Sequence, residues 1–178
     1  MARVSLIREE DHPELSELMG RIRGARRGRL INVYRLLLHS PALAEAWFGL
    51  NNAVRWKTQL DGRLRELVII RVGILCHALY ILRQHIPKLA SAEGLQPADW
   101  EALVNWRESS RFDEQERAAL AYADALTETS GATDDAVAGL KPFFDERQIV
   151  ELTVLIGAYN MHARVLNGLD LDLETAES

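Results

Sequence analysis

The sequence has a single cysteine, Cys76, among 178 residues. One cysteine excludes a disulfide within the chain and any dithiol chemistry confined to it. The start of the sequence lacks the charged segment followed by an apolar segment that marks a secretory signal. We therefore expect a cytoplasmic location.

An excess of positive charge is also missing. The chain has 21 Lys and Arg against 26 Asp and Glu, a formal net charge of -5, so its overall charge gives no attraction to nucleic acid. Charged residues interrupt every apolar run before it reaches the roughly 18 residues that a membrane span needs. We expect neither nucleic acid nor a membrane as a partner.

No segment alternates apolar and polar residues between hairpin turns, whereas helical spacing of apolar residues recurs throughout. With 48% hydrophobic residues, the chain can bury one substantial core. We predict an all-α, single-domain helical bundle of about seven or eight helices. Residues 1–29 would form an N-terminal helix and an Arg/Gly-rich turn, residues 30–173 the main domain and residues 174–178 a tail.

The apolar stretch DGRLRELVIIRVGILCHALYILRQHIP, residues 61–87, predicts the central helix. Asp61 is suited to be its N-cap, and Pro87 limits its extension. Because apolar side chains surround most of it, we expect a core or interface helix. The chemically capable side chains gather near its end: Cys76, His77, Tyr80, Gln84 and His85.

Glu66 and His85 could form a carboxylate–imidazole relay that moves protons near neutral pH. On one straight helix, however, their spacing would separate them by about 28 Å. They can cooperate only if the chain turns around residues 75–78, where no glycine or proline marks a turn, or if neighbouring subunits supply the partners. Taken singly, Glu66 would pair with Arg63, Arg71 or Arg147, and His85 would cap a helix C-terminus.

His77 and His85 would lie about 12 Å apart on such a helix, too far to share a metal ion. No His and carboxylate pair at helical spacing replaces them, so we predict no metal site. Cys76, in an apolar helix, is typical of a buried structural cysteine.

A second polar group interrupts the last long helix, where Asn160 and Arg164 are one turn apart. Buried polar groups need partners, so this face either bonds other helices or lines a pocket. The basic turn has two open interpretations as well, a solvated loop or a clamp for an anion. Its arginines are Arg21, Arg23, Arg26, Arg27 and Arg29.

Three segments together resemble the carboxymuconolactone decarboxylase family of the alkylhydroperoxidase-D-like (AhpD-like) superfamily, over roughly residues 30–173. They are GRLRELVIIRVG followed by Cys76, Tyr80, Gln84, His85 and Pro87; FDEQERAALAYADALT; and ERQIVELTVLIGAYNMHARVLNGL. The resemblance implies an all-α fold and homo-oligomers, trimers or hexamers. It also implies a small-molecule pocket at the centre of the long helices, often between subunits.

Glu66 and His85 match the carboxylate and histidine of the family's redox members. The cysteine pair of those members falls at Ala78 and Ile81, so the resemblance disfavours thiol peroxidase chemistry. Decarboxylase-like members carry Glu-Tyr-Glu-Trp, where this chain has Leu-Tyr-Ile-Leu at residues 79–82 and keeps only Tyr80. Ile81 makes that wall apolar, which suits a bulky substrate.

The resemblance thus implies a cofactor-independent lyase or isomerase in which His85 transfers protons next to a carbonyl. Glu66 would orient it and Tyr80 would donate to a substrate oxygen. Decarboxylation, dehydration and conjugate addition all fit, including the tailoring of a bulky natural product. Candidate substrate contacts are Cys76, His77, Ile81, Gln84, Asn160 and Arg164.

A non-catalytic ligand-binding or scaffold oligomer is the alternative from another class. An alkylhydroperoxidase-type redox protein is the third hypothesis.

Overall fold

The computed structural model describes residues 2–26, 28–86, 88–129 and 131–174. The described residues contain α-helices and short 3₁₀ helices and no strand, which confirms the all-α prediction. Helices of five to seven residues accompany the longer ones. The α-helices are α1 (Ser16–Gly24), α2 (Asn32–Leu37), α3 (Pro41–Trp56), α4 (Gly62–Leu75), α5 (Leu79–His85), α6 (Lys88–Ala92), α7 (Pro97–Ala102), α8 (Glu114–Thr129), α9 (Asp134–Ala138) and α10 (Glu146–Gly168).

Side-chain caps set two of the helix starts that the sequence predicts. Asp61 Oδ1 accepts hydrogen bonds from the backbone N–H groups of Arg63 and Leu64, at 2.9 and 3.2 Å. At the start of α8, Asp113 and Glu116 each accept the other's backbone N–H, at 2.8 and 3.1 Å. These bonds satisfy donors that a helix N-terminus leaves unpaired.

The chain divides into two compact units. One holds the residues up to Ala53 and those from Val165 onward, and it includes the basic turn. There Arg21 bonds Glu45, Arg23 pairs with Glu9, and Arg26 donates to Tyr34 Oη at 2.8 Å. Contacts within the unit thus account for these three arginines, and Arg27 lies outside the described residues.

The second unit, Val54–Arg164, is built around α4. All residues of α4 from Leu64 to Gly73 are buried, as expected for a core helix. Packed together in this unit are Leu67, Ile70, Ala90, Leu95, Leu103, Trp106, Phe112 and Leu120. No helix in the described part of the chain combines the length and apolarity needed to cross a bilayer.

A turn separates α4 from α5, so the continuous helix predicted up to Pro87 is wrong, and Pro87 itself lies outside the described residues. His77 takes a left-handed backbone conformation, with φ of 50°, and Ala78 N–H donates to Gly73 O at 2.8 Å. A Cβ added at Gly73 would lie 2.9 Å from Leu82 Cδ2. The missing side chain of Gly73 therefore lets α5 fold back against α4.

A buried ion pair fixes α4 against α8. Arg71 donates to both carboxylate oxygens of Asp124, at 2.6 and 3.1 Å, and to Leu103 O at 2.9 Å. Asp124 also accepts from Trp106 Nε1 at 3.1 Å and from Arg107 at 2.7 Å. Four hydrogen bonds thus satisfy the carboxylate of Asp124, as burial of its charge requires.

Candidate active site

The turn between α4 and α5 brings Glu66 and His85 into contact. His85 Nδ1 lies 2.6 Å from Glu66 Oε2, and the two residues are 5% and 0% exposed. The pairing occurs within one chain, through the turn at residues 75–78, so a neighbouring subunit is not needed to complete it.

Other residues take the arginines that the sequence offers as partners for Glu66. Arg63 bonds Glu116 and Asp99, Arg71 bonds Asp124, and Arg147 bonds Glu151. The ion pairs predicted for Glu66 with these arginines are therefore wrong. The cation beside Glu66 is instead Arg55, from the end of α3, whose Nη2 lies 3.5 Å from Oε1.

Charges around this pair set its protonation state. Burial alone would raise the pKa of Glu66, but the contact with His85 and the charges of Arg55 and Arg65 outweigh burial and bring that pKa below its ordinary value. Burial lowers the pKa of His85, although Glu66 acts in the opposite direction. At neutral pH we therefore assign an ionised Glu66 and a neutral His85. Because a carboxylate only accepts, Nδ1 carries the imidazole proton and Nε2 has the lone pair.

Tyr159, on α10, lies at the other nitrogen of His85. Its hydroxyl is 3.2 Å from Nε2, and with Nε2 unprotonated the phenol donates this hydrogen bond. The Tyr159 ring packs edge-on against the rings of His85 and His162, with centroids 5.4 and 4.9 Å apart. Glu66, His85 and Tyr159 thus form a buried hydrogen-bonded line, which we call the proton line.

A second polar cluster joins Cys76, Asn160 and Arg164. Asn160 Oδ1 accepts from the Cys76 thiol at 3.7 Å and from Arg164 Nη1 at 2.8 Å, and its Nδ2 donates to Thr127 on α8 at 2.9 Å. Asn160 therefore bonds other elements, one of the two alternatives left open by the sequence. Burial raises the pKa of the Cys76 thiol, against the opposing charge of Arg164, so the thiol is protonated at neutral pH.

The other candidate residues lie at the turn and on α5. Tyr80 and Ile81 are buried, Gln84 is half-buried and His77 is exposed. Their roles toward a substrate stay predictions. The sequence hypothesis missed Tyr159 and Arg55 as members of the site. For Tyr159 one signal existed, since it begins the polar interruption that contains Asn160.

Two further features concern small ligands. Across residues 2–26, 28–86, 88–129 and 131–174, no three His, Cys, Asp or Glu side chains group closely enough to hold a metal ion. A pocket of about 400 Å³ shares no residue with the proton line. It is lined by Asp61, Arg63, Leu64, Arg111, Asp113, Gln115 and Glu116.

A family model described as the carboxymuconolactone decarboxylase family matches residues 41–125, a range that contains Glu66 and His85. The uncharacterized protein YnjA of Escherichia coli (strain K12) is 34% identical over 118 residues, which are 66% of this chain and 64% of that protein. The match therefore spans slightly under two thirds of the length of this relative.

Two solved structures are similar. A protein of unknown function from Agrobacterium tumefaciens, named as a candidate antioxidant defence protein AhpD, is 31% identical with a TM-score of 0.73 over 79% of this chain and 96% of that chain. The debrominase Bmp8, solved with 2,3,4-tribromopyrrole, has a TM-score of 0.80 at 22% identity, over 97% of this chain and 92% of that chain. The second likeness concerns the fold alone. With the family match and the 31% identical structure, the chain belongs to the carboxymuconolactone decarboxylase family of AhpD-like proteins.

Proposed function

We propose that this protein is a cofactor-independent lyase or isomerase that moves a proton at a carbon next to a carbonyl. The observation that carries the proposal is the buried proton line, in which His85 is bonded at Nδ1 by Glu66 and at Nε2 by Tyr159. A neutral histidine with a free lone pair is a general base suited to neutral pH.

In the proposed step, the phenolic oxygen of Tyr159 takes the proton from the substrate carbon as its own proton moves to His85 Nε2. The electron pair of the broken C–H bond stays on the substrate as an enolate, and Glu66 stabilises the imidazolium. Return of the proton to another atom completes an isomerisation. Expulsion of a leaving group from the enolate completes an elimination.

The substrate class follows from the residues of α5. Buried Ile81 stands where decarboxylase-like members carry a carboxylate, which supports an apolar wall and a bulky carbonyl compound. Tyr80 would donate to the substrate oxygen. The debrominase with the same fold binds a halogenated pyrrole, and we extend from it only the idea of a natural-product ring as substrate.

Thiol peroxidase chemistry fits less well. Ala78 and Ile81 occupy the positions of the redox cysteines, and the remaining thiol, Cys76, bonds Asn160 and has a raised pKa. We also propose a homo-oligomer, trimer or hexamer, in the cytoplasm. The proton line is buried within one chain, so substrate entry would require side-chain movement.

Proton exchange in D₂O tests the proposal without knowledge of the complete reaction. β-Keto acids, enol lactones and unsaturated ketones with bulky apolar substituents would be incubated with the protein, and deuterium uptake at the carbon next to the carbonyl measured by mass spectrometry. We expect His85→Gln to lose about 10²- to 10⁴-fold in exchange rate, the usual contribution of a general base. His12→Gln, at an exposed histidine, is the matched control.

One observation favours a second candidate function, a non-catalytic ligand-binding or scaffold protein. Glu66, His85 and Tyr159 are all buried, and Tyr159 already occupies Nε2. A scaffold would exchange no proton in any compound. It would still be stabilised against heat by a bound ligand, equally in the native protein and in His85→Gln.

A further inference from the structure

Two arginines are buried beside the proton line, where their charges are costly. Arg55 and Arg65 are 9% and 6% exposed, and a guanidinium stays charged in proteins. Their Cζ atoms lie 4.6 and 5.5 Å from the ring centroid of Trp56. Cation–π contact stabilises each charge in part, but two like charges at one ring also repel each other.

The two arginines differ in how their charges are satisfied. Arg65 Nη2 donates to Glu93 Oε1 at 2.9 Å. Arg55 Nη2 lies 3.5 Å from Glu66 Oε1, which is an ion pair without a hydrogen bond. The Nε atoms of both arginines and Glu66 Oε1 are buried without a hydrogen-bond partner. Buried ion pairs stabilise a fold only with good geometry and satisfied donors, so stability alone does not account for Arg55.

Glu66 lies between this cation and the base. Its Oε1 faces Arg55 and its Oε2 contacts His85 Nδ1 at 2.6 Å. We propose that Arg55 and Arg65 are positioning residues of the acid–base site, which hold the Glu66 carboxylate ionised and directed at Nδ1 so that Nε2 keeps its lone pair. This inference rests on the proposed function and adds to it the groups that set the charge state of the base.

The charges around His85 indicate the direction of the effect. Charged groups near it are the guanidiniums of Arg55 and Arg65 and the carboxylates of Glu66 and Glu93. Two positive and two negative charges cancel while His85 is neutral. A proton on His85 would add a buried positive charge without a counter-charge, and both arginines oppose it. The other titratable groups are Tyr159 and His162 on α10 and Tyr80 on α5.

Imidazole NMR titration tests this proposal. The His85 signals would be assigned by their absence in His85→Gln, and the protonation of His85 followed against pH. Arg55→Gln and Arg65→Gln should each raise the pH midpoint, because each removes a charge that opposes the imidazolium. Arg55→Lys, which keeps the charge, should stay near the native midpoint. Arg147→Gln, which removes an exposed charge paired with Glu151, should leave the midpoint unchanged.

A native midpoint in folded Arg55→Gln and Arg65→Gln would overturn the proposal. If Arg55→Gln does not fold, the proposal still requires a raised midpoint in Arg65→Gln and a native one in Arg55→Lys. The titration needs no substrate, so its failure is separable from that of the proposed function. The latter fails if His85→Gln exchanges protons as fast as the native protein.

Discussion

Removal of the Asp124 carboxylate should destabilise the fold strongly, because it leaves the buried guanidinium of Arg71 without a counter-charge. Asp124 accepts two hydrogen bonds from Arg71 and one each from Trp106 and Arg107. In Asp124→Ala, Arg71 keeps only the carbonyls of Leu103 and Val104. Breaking a buried ion pair by deleting one partner costs about 3–5 kcal/mol, and in a chain of this size that lowers the melting temperature by roughly 6–20 °C.

Arg107→Gln provides the matched control at the same carboxylate. The Arg107 side chain is 61% exposed, so loss of its ion pair should cost at most about 1 kcal/mol. Urea denaturation at pH 7 would measure the free energy of unfolding of both variants, with an unchanged m-value as the check that the unfolded state is comparable. Equal losses in Asp124→Ala and Arg107→Gln, or a loss below about 1 kcal/mol in Asp124→Ala, would refute the reasoning.

Three further predictions concern the site. Because burial lowers the pKa of His85, the unfolded chain takes up a proton below about pH 6.5 that the folded chain resists. The free energy of unfolding should therefore fall more steeply from pH 7 to 5 in the native protein than in His85→Gln, and parallel curves would contradict this. Tyr159→Phe should reduce deuterium exchange at least about tenfold while the fold is retained; native exchange in this variant would exclude Tyr159 from the relay. The Cys76 thiol should react with maleimide at neutral pH more slowly in the folded chain than in urea, and more slowly still in Arg164→Gln, since Arg164 lowers its pKa; faster reaction in Arg164→Gln would count against the assigned influence of its charge.

The sequence was sufficient to predict the features that depend on local signals. Asp61, Asp113 and Glu116 are residue types that cap helices, and they do so here. Apolar residues on all sides of residues 64–73 predict a core helix, and these residues are buried. The fold class and the family follow from the same stretches.

The turn that completes the site had no such signal. His77 adopts a left-handed conformation that is usually marked by glycine or asparagine. The local indication was Gly73, four residues earlier, whose missing side chain admits Leu82. Helix propensity alone therefore favoured an unbroken helix through residues 75–78.

The partners of Glu66 and His85 come from distant parts of the sequence. Arg55 belongs to α3 and Tyr159 to α10, 74 residues beyond His85. Their contacts depend on how the helices pack, which periodicity along a single helix does not specify. The same holds for Arg63 and Arg71, which are close to Glu66 in sequence but pair with residues of other segments.

The most direct test of the account is the imidazole ¹⁵N spectrum of His85 at pH 7. We predict a neutral ring protonated at Nδ1, with an unprotonated Nε2 that accepts a hydrogen bond from Tyr159. Glu66→Gln should disturb the Nδ1 signal most, because it removes the carboxylate that accepts that proton. A ring protonated at Nε2, or a fully charged imidazolium at pH 7, would contradict the proton line and the base assigned to it.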